Sequence, residues 1–265
     1  MLFCAPMSQV LDLIDWAENQ KLDWEGYART KYRDYFVASH RGWDDRKRWK
    51  AQAVFDAAIV VHELDPERLA GFEVLEIGCG VGRLAEVIAP KVKGYTGIDI
   101  APGMIEEVRT RCGNLGNARF FLGDGLSIPP PACDRRYDLV FAFAVFIHCP
   151  RDVVGSLVRS ALSLLAPGGE LRFQLRADSS DPAGIRPSAE APIDVAPPPL
   201  DAAGPTEEEL QALLDVENAT RGRPFMGDLY RYDEVGPFLR SISPGSQQRL
   251  YRFDPEHIYV DLIRA

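Results

Sequence analysis

The stretch that decides the fold is residues 74–82, VLEIGCGVG, followed by a second apolar run, GYTGIDI, at 94–100. The first run has the pattern of a short buried strand, and it ends in three closely spaced glycines, Gly78, Gly80 and Gly82. Because glycine has no side chain, such a turn can press its backbone against a ligand at the carboxyl edge of a sheet. The stretch therefore predicts a strand that leads into a ligand-binding turn.

Residues 72–175 alternate between short apolar runs and helical stretches. Strands are predicted at 73–77, 94–100, 118–122, 137–143 and 170–175. Proline occupies first helical positions between some of these runs, and glycine follows helix ends. This alternation is typical of a parallel sheet that is covered by helices on both faces.

The rest of the chain adds segments to this unit. We predict an N-terminal helical cap at 1–70 and an α/β domain at 71–265 that carries a lid insertion at 176–230. Seven of the 20 prolines fall within 178–205, which is typical of an irregular connection or a lid. A capping box at Thr206 predicts a helix beyond it, and two strand-like runs follow at 247–253 and 257–265.

Carboxylates near three predicted strand ends narrow the choice of ligand. Glu76 could meet a cationic amine and would repel a pyrophosphate, whereas Asp99 could accept hydrogen bonds from both hydroxyls of a ribose. Asp124 could bind the exocyclic amine of an adenine. GCGVGR also departs from the dinucleotide fingerprint, because Arg83 stands where a third glycine or alanine is expected. The predicted ligand has a cationic amine or sulfonium, a ribose and an adenine but no phosphate, which indicates S-adenosylmethionine.

The segment 72–175 resembles the class I S-adenosylmethionine-dependent methyltransferase family. The matching motifs are the acid and GxGxG at 76–82, the acid that ends the second strand, the loop at 124–126, YDLVFAFAVFIHCP at 137–150 and LLAPGGELRF at 164–173. The resemblance implies a Rossmann-like α/β fold with a seven-stranded sheet, mostly parallel with an antiparallel last strand. The cofactor contacts predicted from the motifs are Glu76, Gly78, Cys79, Gly80, Gly82, Asp99, Ile100, Met104, Asp124, Gly125, Leu126 and Phe143.

The predicted reaction moves a methyl group to a hydroxyl of a small molecule, such as a natural product or a sugar derivative. In-line alignment supplies most of the rate, and a general base adds the remainder for a hydroxyl acceptor. His148, just beyond the fourth predicted strand, is the candidate base, and a role in ordering its loop is the alternative. N-methylation of a small amine, an NAD-type oxidoreductase and a non-catalytic cofactor-binding partner subunit stay open.

Acceptor contacts are predicted on the two segments that would close over the site. The candidate residues are Tyr27, Tyr32, Trp43 and Tyr230, with Tyr35, Phe36 and Arg221 as further possibilities. Packing in the core is the alternative for the aromatic stripe in the N-terminal helices. His40 and His62 are spare candidate bases, and each is expected instead on a helix surface.

Composition excludes several other classes of protein. A net charge of −9 argues against nucleic-acid binding. The sequence contains no run of 18 apolar residues, so no transmembrane helix is expected. Five cysteines without a CxxC pair fit a reducing cytoplasm and argue against a structural zinc site. We therefore expect a cytoplasmic enzyme with a small-molecule acceptor, no metal, and no nucleic-acid or membrane partner. A homodimer is compatible with a lid of this kind.

Overall fold

A computed structural model describes residues 7–38, 45–178, 180, 208, 211, 227–254 and 256–264, with residues 7–10 described by their backbone alone. The helices are α1 Met7–Ala28, α2 Arg33–Ala38, α3 Arg46–Val60, α4 Pro66–Leu69, α5 Ala85–Ile88, α6 Pro102–Arg111, α7 Arg151–Leu164 and α8 Tyr232–Ile242. The strands are β1 Glu73–Ile77, β2 Gly94–Asp99, β3 Ala118–Leu122, β4 Tyr137–Ala142, β5 Leu165–Ala177, β6 Leu229–Tyr230, β7 Gln247–Tyr251 and β8 His257–Ile263. Within the described part of the chain, no helix combines the length and the apolar character needed to cross a membrane.

The strands form one sheet in the order β3-β2-β1-β4-β5-β8-β7, and β6 pairs with β5 beside this path. Strands β1 to β5 are parallel to one another, whereas β8 is antiparallel to both β5 and β7. The predicted Rossmann-like sheet with an antiparallel last strand is confirmed, and the two-residue β6 is an additional strand. The strand order reverses between β1 and β4, which is where open α/β sheets bind their ligands.

Helices cover both faces of the sheet because its central strands are apolar on both sides. In β4, Val140 belongs to the core that includes α7 and α8, whereas the adjacent Leu139 belongs to the core that includes α3, α5 and α6. Both side chains are fully buried. A near-continuous apolar run, rather than an alternating one, is what a strand packed on two sides requires.

The N-terminal helix α1 is anchored across the start of α6. The backbone N–H of Gly103 donates to Glu25 Oε2 at 2.6 Å, and Arg29 Nη1 donates to Glu106 Oε2 at 2.8 Å. A Cβ atom on Gly103 would lie 2.9 Å from the Cβ of Ala28, so the absence of a side chain there permits the close helix contact. These contacts bring one face of α1 over the carboxyl edge of the sheet.

His62 is buried, and the prediction of a surface position is wrong. Its Nδ1 lies 2.7 Å from the carbonyl oxygen of Ile59, and its Nε2 lies 3.6 Å from Asp261 Oδ2 in β8. Arg172 of β5 donates to the carbonyl oxygen of His62 at 2.8 Å. Burial lowers the pKa of His62, and the nearby Arg172 guanidinium lowers it further. The buried partners come from strands more than 100 residues away, which a local helical pattern does not reveal.

Several predicted features lie outside the described residues. These are Trp43, His40, Arg221 and most of the predicted lid insertion at 176–230. The insertion begins within β5 and ends at β6. Of the helix predicted after Thr206, only residues 208 and 211 are described, and both are helical. The division into a cap at 1–70 and a domain at 71–265 with a lid stays a prediction.

Candidate functional site

A cavity of about 1010 Å³, part of it open to solvent, lies at the carboxyl ends of β1, β2 and β4. Its described lining includes ten of the residues predicted as site residues, namely Glu76, Gly78, Cys79, Gly80, Asp99, Ile100, Met104, Gly125, Phe143 and His148. The structure therefore gathers most of the predicted motif residues around one space. Among the described residues, no group of three or more His, Cys, Asp or Glu side chains could hold a metal ion.

The turn after β1 requires glycine for both its conformation and its packing. Gly78 has a φ of +74°, and a Cβ atom there would clash with the side chain of Val145 in the loop after β4. The N–H groups of Gly78 and Cys79 both donate to the carbonyl oxygen of Ile98, at 2.8 and 2.9 Å. Gly82 closes the turn against α6, where an added Cβ would lie 2.6 Å from Val108 Cγ2, and it does not line the cavity.

Glu76 lies at the base of the cavity with only 3% of its surface exposed. The hydroxyl of Tyr95 donates to its Oε2. Burial raises the pKa of Glu76 to about 8, although the Tyr95 hydrogen bond and the charge of Arg83 act in the opposite direction. In the absence of a ligand the carboxyl group is therefore mostly neutral at pH 7. A cation placed beside it would favour the ionised form.

Asp99 connects the turn after β1 to the end of β2. Its Oδ2 accepts a hydrogen bond from the N–H of Gly80 at 2.8 Å, and its Oδ1 accepts one from the N–H of Ala101 at 2.9 Å. Burial raises the pKa of Asp99 to about 6, and the backbone donors limit that rise. Ile100 and Met104 line the cavity beside it. The arrangement leaves a carboxylate with further acceptor capacity facing the space.

The loop after β3 lines the cavity with Gly125 and not with the side chain of Asp124. Asp124 is exposed, and its Oδ1 accepts hydrogen bonds from the N–H groups of Leu126 at 2.8 Å and Ser127 at 2.7 Å. Neither Asp124 nor Leu126 lines the cavity, whereas Gly125, between them, does. Leu126 instead packs against the core beneath α7, where its carbonyl oxygen accepts from Ser156 Oγ at 2.9 Å. The carboxylate of Asp124 therefore fixes the shape of the loop.

The loop after β4 carries His148 to the cavity. Ala144 has a φ of +57°, and its N–H donates to Gln174 Oε1 at 2.6 Å, so a side chain from β5 holds this strained backbone. His148 ends a single 3₁₀ turn, Phe146–His148, and lines the cavity. Its ring meets the ring of Trp24 edge to face, with centroids 5.4 Å apart. The histidine is thus placed between the sheet edge and α1.

The described residues predicted to contact the acceptor do not line the cavity. Tyr27 is 2% exposed and stacks on Phe36 with ring centroids 4.1 Å apart, and Tyr32 is also buried. Tyr230 is fully buried, with the Arg151 guanidinium 4.5 Å from its ring centroid. The burial of Tyr27 and Tyr32 agrees with the alternative interpretation of the aromatic stripe, which is packing in the core.

Sequence reasoning missed the cavity residues of α1 and the role of Arg83 as a lining residue. Trp16, Gln20 and Trp24 line the cavity at intervals of four residues, so they share one face of α1. That spacing was a usable signal, although it does not say which side of the helix meets the sheet. Arg83 directly follows the glycine turn and was considered only as a departure from the dinucleotide fingerprint.

Comparison with known proteins places this site in a family. The sequence profile of a methyltransferase domain matches residues 74–169, the segment that contains β1 to β4, α7 and the start of β5. The match supports the predicted resemblance of this segment to the class I S-adenosylmethionine-dependent methyltransferases. The glycine turn, Asp99 and His148 of the methyltransferase domain all lie within the matched residues.

Two curated relatives cover the same region. The ubiquinone biosynthesis O-methyltransferase of Nitrosospira multiformis is 31% identical over 147 residues, which cover 51% of this chain and 56% of that protein. Aklanonic acid methyltransferase DauC of Streptomyces sp. strain C5 is 40% identical over 112 residues, which cover 40% of this chain and 49% of that protein. The chain therefore spans about half the length of the curated relatives it matches.

The fold extends beyond the matched segment. The crystal structure of N-methyltransferase NodS from Bradyrhizobium japonicum, in complex with S-adenosylhomocysteine, superimposes with a TM-score of 0.56 at 14% identity. The superposition covers 93% of this chain and 98% of NodS. At this identity the likeness shows the fold alone.

Proposed function

We propose that the protein transfers the methyl group of S-adenosylmethionine to a hydroxyl group of a small molecule. The observation that carries this proposal is that Glu76 and Asp99, from neighbouring strand ends, line one cavity together with the glycine turn. Two carboxyl groups beside a close backbone approach suit a ligand with an ammonium group and a ribose. They disfavour a pyrophosphate, because its negative charge would repel ionised Asp99 and would oppose the ionisation of Glu76.

The residues present fit this cofactor part by part. Glu76 would pair with the ammonium group, and Asp99 would accept hydrogen bonds from the ribose hydroxyls. Ile100 and Met104 supply apolar surface for the adenine, and Gly125 allows close approach of the loop after β3. A contact between Asp124 and the adenine amine stays part of the proposal, although Asp124 already accepts hydrogen bonds from its own loop.

His148 is the proposed general base. The cofactor supplies an activated methyl group on a sulfonium, so alignment of the acceptor is the main requirement. The acceptor oxygen would form a bond to the methyl carbon while the carbon–sulfur bond breaks and its electron pair stays on sulfur. The imidazole of His148, held against the Trp24 ring at the cavity wall, would take the hydroxyl proton.

The walls of the cavity favour a largely apolar acceptor. Trp16, Trp24, Val145 and Leu157 contribute apolar surface, and Gln20 is a buried polar side chain among them. Indole rings are well suited to contact flat ring systems. The similarity to a ubiquinone biosynthesis O-methyltransferase and to aklanonic acid methyltransferase supports a small-molecule acceptor.

Two experiments test the proposal. Calorimetric titration should show binding of S-adenosylhomocysteine and no binding of NADH, and the reverse result would favour the oxidoreductase. Methyl transfer from labelled S-adenosylmethionine is then measured with a panel of phenols, hydroxyquinones and sugars. Tight cofactor binding without transfer to any of these acceptors would favour a non-catalytic partner subunit.

With an active acceptor, His148→Gln should lower the rate of transfer by at least about 100-fold and leave the affinity for S-adenosylhomocysteine unchanged. His257→Gln is the matched control, because His257 lies in β8 and does not line the cavity. A rate that stays within a few-fold of wild type would contradict base catalysis by His148. Transfer to amines rather than hydroxyls would favour the N-methyltransferase alternative.

A further inference from the structure

Arg83 is a buried cation whose hydrogen-bonding capacity is only partly used. Its side chain is 7% exposed, and its Nη1 pairs with Asp56 Oδ2 of α3. Asp56 is held in turn by Gln52 Nε2, which donates to Oδ1 at 2.8 Å. The Nε of Arg83 is buried and has no hydrogen-bond partner among the described residues. Because buried donors are nearly always satisfied, this unused donor calls for an explanation.

The position of Arg83 suggests what it could bind. It lines the same cavity as Glu76, and its positive charge lowers the pKa of Glu76 against the effect of burial. Arg83 is also the sole arginine or lysine among the described residues that line the cavity. The wall beside the glycine turn therefore carries one carboxyl group and one guanidinium within electrostatic reach of each other. This pair is complementary to the ammonium and carboxylate groups of an amino acid.

We propose that Arg83 binds the carboxylate at the amino-acid end of the cofactor and that Asp56 positions its guanidinium. The inference rests on the proposed function. A guanidinium has five N–H donors in a rigid plane, so the pair with Asp56 through Nη1 leaves further donors for a second carboxylate. Asp56 keeps the plane in one orientation, which lowers the entropy lost when the cofactor binds.

The alternative is that the pair of Arg83 and Asp56 only fastens α3 to the glycine turn. The two cases differ in how they depend on the ligand. A purely structural role would affect every adenosyl ligand alike, whereas a carboxylate contact would affect only ligands that carry the carboxylate.

The test compares S-adenosylhomocysteine with its decarboxylated analogue, S-adenosyl-3-thiopropylamine, by calorimetry. Wild-type protein should bind S-adenosylhomocysteine about 10- to 100-fold more tightly, as expected for a charge-assisted hydrogen bond. Arg83→Gln should weaken the binding of S-adenosylhomocysteine by about that factor and leave the analogue within about three-fold of wild type. The preference between the two ligands should therefore nearly disappear. Arg83→Lys should retain part of it, because lysine keeps the charge but not the fork.

Arg46→Gln is the matched control. Like Asp56, Arg46 belongs to α3, and it forms an ion pair at 2.8 Å with Glu86 of α5. Unlike Arg83, it is largely exposed and does not line the cavity. This variant should keep the full preference for the carboxylate. Thermal melts check that each variant folds. If Arg83→Gln does not fold, Arg83→Lys is used instead, and it should show a smaller but measurable loss of the preference.

Two results would overturn the inference alone. One is that wild-type protein binds both ligands equally, and the other is that the Arg83 variants lose both ligands to the same extent. If wild-type protein binds neither ligand, the proposed function fails and this inference fails with it. The two failures are therefore distinguishable in the same set of titrations.

Discussion

Glu76→Gln should stabilise the protein without its cofactor and at the same time abolish tight cofactor binding. Burial raises the pKa of Glu76 from 4.5 to about 8 in the folded state. A group whose pKa is raised by folding contributes full stability below its unfolded pKa, and that stability is lost as the pH rises through the folded value. Glutamine has nearly the shape of the neutral acid and can still accept from Tyr95, so the variant avoids this loss.

The size of the effect follows from the shift in pKa. Each pH unit above 4.5 costs the folded protein about 1.4 kcal/mol until the folded-state pKa of about 8 is reached. At pH 7 the cost is therefore about 3 kcal/mol, and above pH 8 it levels off near 5 kcal/mol. For a chain of this size, 3 kcal/mol corresponds to an increase in Tm of roughly 6–12 °C in the variant. Near pH 4 the two proteins should be equally stable.

The assay is denaturant unfolding of both proteins at pH 4.5, 6, 7 and 8, with Glu67→Gln of α4 as a control in which the substituted carboxyl group is exposed. Calorimetry with S-adenosylhomocysteine gives the second readout. Binding to wild type should release a proton at pH 7, because the ammonium group favours the ionised form of Glu76, and affinity should fall as the pH is lowered below 8. The reasoning is refuted if Glu76→Gln is less stable than wild type at pH 7, or if the stability difference does not change with pH.

The remaining predictions concern the turn after β1 and its contact with β2. Asp99→Asn replaces the carboxylate that accepts from the N–H groups of Gly80 and Ala101 and that is proposed to accept from the ribose hydroxyls. We expect calorimetry to show that S-adenosylhomocysteine binds about 100-fold more weakly. Unchanged affinity would contradict the ribose contact. Gly78→Ala should lower the free energy of unfolding by at least about 2 kcal/mol in urea, because a Cβ atom there would clash with Val145 at a positive φ. Gly116→Ala is its control, since nothing lies within 4 Å of an added Cβ, and equal losses in the two variants would argue against the steric explanation.

The central strands could be predicted from local sequence because burial on both faces makes each of them a continuous apolar run. The predicted bounds of 73–77 and 118–122 are those of β1 and β3. The prediction for β5 began at 170, whereas the strand begins at Leu165. Residues 165–169 were predicted instead as the end of the preceding helical stretch, with Gly168 where the helix stops. The pairing of β5 with β4 shifts register between Tyr137 and Leu139. Such a register shift depends on the partner strand and leaves no signal in the local pattern.

The site was predictable where the chain itself fixes the geometry, and less so where distant contacts fix it. Gly78 and Asp99 face the cavity because they end adjacent parallel strands. The aromatic residues of α1 have no such constraint. The contacts of Glu25 with Gly103 and of Arg29 with Glu106 decide which face of α1 meets the sheet, and they join residues 77 or 78 positions apart. The helical pattern alone therefore could not distinguish cavity residues such as Trp24 from core residues such as Tyr27.

Three unfavourable features of the fold lie at this cavity. Glu76 has a buried carboxyl group whose ionisation is opposed by burial, Arg83 has a buried donor without a partner, and Ala144 has a left-handed backbone held by Gln174. Each is unfavourable when the protein is considered alone. A ligand with an ammonium and a carboxylate would offset the first two at once, since its charges match the side chains that lack partners. The match between these two side chains and the two charged groups of an amino acid is a physical argument for a zwitterionic ligand that does not depend on any sequence motif.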